Sequence, residues 1–467
     1  MTFANAIENQ ESRTTNGMKA RKSTANKCVD LFAGIGAMRG KDVVPSFVGA
    51  LTDNTDYAVR IAQWARDVRE GAGERKIFRD IFAYLAKNDT VKAERLLGKV
   101  PELGRWDDLW SIFGINEKLD KQILDLVATE LEKGNGLLAK WLPRQKEVIN
   151  GKDFTASLRN KLRMSPKEYR KLVVSNTQVV EQYMCAKNWD EINFSHVPSL
   201  AHSRYKKAFY KNAESYKAYV EALVKGTDPK VKINAGAVYP YDVLKGVSRN
   251  SKAENDVVQA QWDALPNYLG DNSILPLVDV SGSMCTPAGG YGSNSGVTCL
   301  EVGVSLGLYV ADKLKGDFKD CFLTFSSTPT MDVLKGNIIQ KLQQISKCNW
   351  MGSTNLHAAF ESILKTAVKN KVNPEDMPKT LLIFSDMNFD QCVVFDDSAI
   401  EMITRKYKDA GYEMPQVVFW NIHDSGHKPV KHDTKGVALV SGFSPAILRS
   451  ILSAESFSPE DVLKETI

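Results

Sequence analysis

Asp279-Val-Ser281-Gly-Ser283 sets one carboxylate and two hydroxyls within five residues, directly after the apolar run Ile274 to Val280. These are hard oxygen donors. A small divalent cation such as Mg²⁺ takes oxygen ligands in octahedral geometry and keeps several waters, so hydroxyls and a carboxylate in one turn suit it. Two later loops carry the same kind of group: Gly352-Ser-Thr354-Asn, ahead of a helical stretch, and Phe384-Ser-Asp386, closing a second apolar run. Short apolar runs bounded by turn residues read as buried strands. Open α/β sheets bind ligands just outside the carboxyl ends of such strands. Taken singly, the same residues have a plainer use, with Ser281 and Ser283 capping a helix and Asp386 ending a strand.

The elements that must position these loops follow from about residue 271 onward. Strand-like runs at Ile274 to Val280, Cys321 to Phe325, Thr380 to Phe384, Gln416 to Asn421 and Gly436 to Val440 alternate with helical patterns at Cys299 to Leu314, Leu356 to Val368, Ser398 to Tyr407 and Pro445 to Leu452. Such alternation predicts a doubly wound parallel sheet with helices on both faces. In this setting the three loops resemble the metal-ion-dependent adhesion site of von Willebrand factor A (vWA) domains. The resemblance implies that Ser281, Ser283 and Thr354 ligate the metal directly, while Asp279 and Asp386 act mostly through water. It implies Mg²⁺, with Mn²⁺ or Ca²⁺ as alternatives, and a remaining position filled by a carboxylate of a protein partner. That makes an adhesion site and not a catalyst. The loop from Cys285 to Thr298, rich in Gly, Ser and Asn, is either a rim of the site or a disordered connection, and lacks the G-K-[ST] of a phosphate-binding loop. His357, one turn after Thr354, reads as a helix-surface or packing residue.

The first part of the chain has another texture. From Asp53 to about Leu223 apolar residues recur at spacings of three and four, broken by short Gly, Pro or Asn turns, which predicts helices of ten to fifteen residues stacked as hairpins. Ser165-Pro-Lys-Glu168 is a capping box that starts one of them. Charge is uneven. Residues 1 to 270 hold 43 Lys and Arg against 33 Asp and Glu, the remainder 18 against 23, and residues 151 to 250 alone hold 18 against 9. Local basicity of that kind is the footprint of a polyanion-binding surface, although solvated helix faces look similar. Arg144, Arg159, Arg163, Lys167, Arg170, Lys171, Arg204, Lys207 and Lys211 are the candidate RNA contacts, the last three at helical spacing beside Tyr205, Phe209 and Tyr210. Cations of this sort neutralise phosphates while an aromatic plane stacks an unpaired base. Aromatics that face the core instead would leave only solvated basic faces.

Trp64-Ala-Arg66-Asp67-Val-Arg69-Glu70-Gly71-Ala-Gly73-Glu74-Arg75 resembles a segment of TROVE-type proteins, the Ro autoantigen family, in which HEAT-like helical repeats precede a vWA domain. Ala139-Lys-Trp141-Leu-Pro143-Arg144, Tyr169-Arg170-Lys171-Leu, and Trp189 to Tyr205 are similar to a domain-of-unknown-function family of phages and some eukaryotes with the same order. The resemblance spans about residues 28 to 460. The chain departs from it at Glu70, where glycine is usual, and at Ala72, where a basic residue is common. It implies binding of structured or misfolded RNA, of the small non-coding kind, by a non-enzymatic ribonucleoprotein component. A metal-dependent protein-interaction or assembly scaffold, encoded by a phage, is the alternative.

The expected division is a flexible arm over 1–27, a TROVE-like helical repeat domain over 28–270 and the vWA domain over 271–467. A chain of 467 residues with 43% hydrophobic and 25% charged side chains is an ordinary folded protein of more than one domain. No apolar run reaches the roughly 18 residues of a membrane span, and the polar start lacks a signal peptide's apolar core, so a cytoplasmic location is expected. Seven cysteines without a C-x-x-C pair point to reduced thiols. Asp30-Leu-Phe-Ala-Gly34-Ile-Gly36 mimics the cofactor loop of DNA cytosine methyltransferases. The Pro-Cys and Glu-Asn-Val elements such an enzyme requires are absent from the chain.

Overall fold

The computed structural model describes every residue except 1–10, 178, 227, 250, 290–295, 326–328, 349, 351, 353, 391–398, 424 and 453–456. The chain packs into two units, one made of residues 62–234 and the other of residues 1–61 with 235–467.

The second of these is built on a six-stranded sheet: β1 (Ile274–Asp279), β2 (Cys321–Phe325), β3 (Thr330–Val333), β4 (Thr380–Ser385), β5 (Gln416–Asn421) and β6 (Val437–Ser441). The strand order is β6-β5-β4-β1-β2-β3, parallel throughout except that the edge strand β3 runs antiparallel to β2. Every residue of β1, β4 and β6 is buried. Helices on both faces leave no solvated side for polar alternation, which is why these strands read as continuous apolar runs. Strand order reverses between β1 and β4, so the ligand crevice of this architecture lies at their carboxyl ends. On one face Leu275, Leu277, Leu323, Leu381, Ile383 and Phe419 form a core with Leu356, Phe360 and Ile363 of the helix Leu356–Asn370. The helix Cys299–Lys313, closed by a Thr298/Glu301 capping box, packs against β1.

Residues 1–27 do not behave as the flexible arm expected of them where they are described. Glu11–Arg13 and Lys19–Arg21 pair as a hairpin. Met18 enters the sheet's core, Arg21 exchanges backbone hydrogen bonds of 2.8 Å with Lys428, and the Thr14 hydroxyl donates to the Phe389 carbonyl at 2.5 Å. The helices Lys27–Ile35 and Val44–Asp53 belong to the same unit. The unit boundary therefore differs from the expected break at residue 270, because buried apolar and backbone pairing recruits a segment distant in sequence. The D-L-F-A-G-I-G stretch is part of this packing: the Gly36 amide donates to Ser441 Oγ at 3.0 Å, and a Cβ there would stand 2.2 Å from the Ser441 carbonyl oxygen. Gly36 has an ordinary φ of −69°, so only crowding opposes a side chain. Gly36→Ala is expected to cost about 1–3 kcal/mol, measured by urea unfolding.

The other unit is helical. The helices Arg75–Asn88 and Thr90–Leu97 pack together, as do Glu117–Glu132 with Phe154–Leu162, Gly136–Trp141 with Pro166–Asn176, and Ser199–Asn212 with Glu214–Lys225. The capping box at Ser165 is present, with the Glu168 amide donating to Ser165 Oγ at 3.3 Å and the Ser165 amide to Glu168 at 2.8 Å. No helix among the described residues is long and apolar enough to cross a membrane. The six described cysteines are free thiols.

Candidate metal centre

Asp279 is the last residue of β1 and Ser385 the last of β4, and the register that pairs Val278 with Phe384 sets them side by side. The Ser385 hydroxyl donates to Asp279 Oδ2 at 2.6 Å, and the Ser281 amide donates to Oδ1 at 3.0 Å. Both oxygens of this wholly buried carboxylate are thus aimed by their neighbours. Asp386, also buried, accepts from the Asn388 amide at 3.0 Å. Ser281 and Ser283 place their hydroxyl oxygens 3.1 Å apart in the turn after β1. Thr354 comes to the loop after β4 through its backbone, its carbonyl accepting from the Asp390 amide at 2.9 Å.

Two features of this cluster go beyond its composition. Thr354 Oγ1 is buried and has no hydrogen-bond partner among the described residues. A buried hydroxyl without a partner costs roughly 1–3 kcal/mol, so the atom calls for an ion, a water or another ligand to satisfy it. Second, burial raises the Asp279 carboxyl to about 7, and the Asp386 charge adds to the rise. Two carboxylates in a dry pocket repel, and a cation between them removes that repulsion. The donors are oxygen only, and no trio of His, Cys, Asp or Glu that could hold a metal exists among the described residues. The set fits a hard cation of the Mg²⁺ class and not zinc.

Several participants escaped the sequence reading. Ser385 orients Asp279, and its signal was a hydroxyl residue closing the run Leu381 to Ser385, which is otherwise apolar. The buried Cys299, near enough to Asp279 and Asp386 to feel both, has its thiol pushed up to about 12 mainly by burial, which makes it unreactive. Met387, beside Asp386, holds a left-handed φ of 64° and donates its amide to Ser385 Oγ at 3.0 Å. The hairpin near the N-terminus reaches this loop too, with Asn16 Nδ2 donating to the Asn388 carbonyl at 2.7 Å. Of the Cys285 to Thr298 loop, residues 290–295 lie outside the described residues. Its ends are closed by the Ala288 amide donating to the Val297 carbonyl at 2.8 Å. His357 sits at the surface, 2.7 Å from Lys406 Nζ.

In the helical unit, Arg144, Arg163, Lys167, Arg170, Lys171, Arg204, Lys207 and Lys211 are exposed and Arg159 is partly so. None of the nine forms an ion pair among the described residues. Arg204, Lys207 and Lys211 share one stripe of the helix Ser199–Asn212, whose opposite face buries His202, Lys206 and Phe209. The aromatic partners expected for base stacking are engaged elsewhere. Phe209 is in the core against Phe194 and Tyr216, Tyr210 packs edge-on to Tyr216, and the Tyr205 hydroxyl donates to Glu181 at 3.1 Å. Of the three, only Phe209 is wholly buried, and Tyr205 and Tyr210 are half-buried beside the basic stripe.

A helical unit together with a doubly wound sheet of vWA type, bearing oxygen donors at its switch point, defines the class of protein. Two models of domains of unknown function match the chain, DUF2828 over residues 123–275 and DUF7788 over residues 273–466. Uncharacterized protein L728 of Acanthamoeba polyphaga mimivirus is 30% identical over 508 residues, an alignment that covers 97% of this chain and 86% of that protein. The chain belongs to the family of that mimivirus protein. Among solved structures, the Ro (RSR) protein of Deinococcus radiodurans matches with a TM-score of 0.48 and 12% identity, over 95% of this chain and 99% of that one.

Proposed function

We propose that this protein is a non-enzymatic binding protein of Ro-like type. In it a divalent cation on the sheet unit captures a carboxylate, from a protein partner or from the chain itself, and the helical unit binds structured RNA. The cation is Mg²⁺ by the chemistry of its donors, held by Ser281, Ser283 and Thr354 with Asp279 and Asp386 behind them. The observation that carries the reading is the buried hydroxyl of Thr354, without a hydrogen-bond partner among the described residues, on a loop whose backbone is bonded to the loop that follows the buried Asp386. RNA binding is supported by charge. Residues 62–234 contain 32 Lys and Arg against 23 Asp and Glu, and the nine cations named above form no ion pair among the described residues. A filter-binding titration with structured RNA is expected to show affinity that falls steeply with salt. Affinity that is absent, or flat between 50 and about 200 mM salt, overturns the RNA half.

A second reading, a metal-dependent assembly scaffold, is favoured by apolar side chains that the helical unit leaves exposed, among them Leu137, Val174 and Leu200. Copurification from nuclease-treated lysate separates the two. A protein partner that survives nuclease and is released by EDTA or by Asp279→Ala, with no RNA copurifying from untreated lysate, selects the scaffold.

A further inference from the structure

The Trp64 to Arg75 segment has a use that neither RNA stripe nor metal accounts for. Its first half builds the fold: Arg66 is buried, and the chain turns at Gly71, where a Cβ would lie 1.9 Å from the Trp64 carbonyl oxygen. Its last residue, Arg75, opens the helix Arg75–Asn88 and faces solvent.

Four guanidinium groups gather here, those of Arg66, Arg75, Arg79 and Arg105, with Asp107 and Asp108 as the carboxylates that answer them. Asp108 accepts from Arg66 Nε and Arg79 Nε, each at 2.7 Å, and from the Arg105 amide at 3.0 Å. Asp107 accepts from Arg105 Nε at 2.7 Å. Arg79 Nη2, 2.9 Å from Asp107 Oδ2, is buried without a hydrogen bond of good geometry. Four positive charges thus face two negative ones whose oxygens are already engaged. Arg75 forms no ion pair among the described residues. Partial burial first, then Arg105 and Arg79, hold its guanidinium below the usual arginine range. Beside them Arg105 Cζ stands 3.6 Å from the centre of the Trp141 ring, with Lys140 Nζ 5.6 Å from the same ring.

An arginine fork binds a tetrahedral oxyanion through paired N–H groups, and several forks fixed by carboxylates behind them lose little entropy in doing so. We propose that Arg75, Arg79 and Arg105 form a phosphate-binding site on the helical unit. Assigning that phosphate to an RNA backbone rests on the RNA reading above, whereas the site for the group itself does not.

The test uses the full chain in two arms. Inorganic phosphate at millimolar concentration is expected to protect Arg75 from phenylglyoxal, read by mass spectrometry, where chloride of equal ionic strength does not. Arg75→Gln is expected to weaken binding of an RNA oligonucleotide about fivefold or more and to lower the salt slope by about one, with Arg75→Lys restoring part of both. Arg75 makes no ion pair among the described residues, so the variant should melt with the wild type. Protection without an effect on RNA keeps the site and assigns it to free phosphate. Equal modification with and without phosphate overturns the site, whatever Arg75→Gln does to RNA.

Discussion

Asp279→Asn is expected to weaken Mg²⁺ or Mn²⁺ binding by about 10- to 100-fold and, in the absence of cation, to make the protein more stable at neutral pH. The two effects have one cause. In the cation-free wild type, burial and then Asp386 raise the Asp279 carboxyl from 3.8 to about 7. An acid whose folded value lies above its unfolded one binds its proton more tightly in the native state. Its contribution to stability is complete below about pH 4 and is lost as pH rises to about 7. Thermal melts in EDTA should therefore fall across that window for the wild type and change less for Asp279→Asn. Saturating Mg²⁺ should restore the wild type at pH 7.5, by about 2.7 kcal/mol at a hundred times its Kd, and raise the variant by only about 0.4–1.4 kcal/mol at the same concentration. Melts that fall equally in both proteins remove Asp279 as the source.

Arg66→Met has the largest expected cost to folding. Arg66 and Asp108 are both almost wholly buried and joined at 2.7 Å. Removing one partner of such a pair leaves a buried charge short of its counterion, at about 3–5 kcal/mol, or a melting point lower by on the order of 10 °C. Arg79 and the Arg105 amide still hold Asp108, which places the effect toward the lower end. The double variant Arg66→Met, Asp108→Leu should recover part of the loss, as a double-mutant cycle would register. Additive losses would mean that the two residues act separately.

How much of this was legible beforehand depends on the kind of interaction. β2 and β5 have the bounds their apolar runs predict, β1 and β4 differ by a residue at one end and β6 by a residue at each end, since strands buried on both faces leave an unbroken hydrophobic record. β3 left no such record: it is a four-residue edge strand, Thr-Met-Asp-Val, largely exposed. The hairpin at residues 11–21 was equally hidden, because its hold on Phe389 and Lys428 is mostly through backbone groups that every residue carries. The acidic and hydroxyl residues of the candidate centre could be named from their order along the chain. Ser385 and the lone hydroxyl of Thr354 required the register of β1 against β4 and the burial of the loops. Tyr205, Phe209 and Tyr210 went the other way, since an aromatic beside a lysine reads the same whether it faces solvent or core.

The central claim is that the loops after β1 and β4 and the loop at Thr354 close on one hard cation. Mn²⁺ titrated into the full chain and followed by electron paramagnetic resonance tests it directly. One bound ion per chain, displaced by excess Mg²⁺, weakened in Thr354→Val and lost in Asp279→Ala, is the predicted result. Binding that is absent, or that is unchanged in both variants, would contradict it.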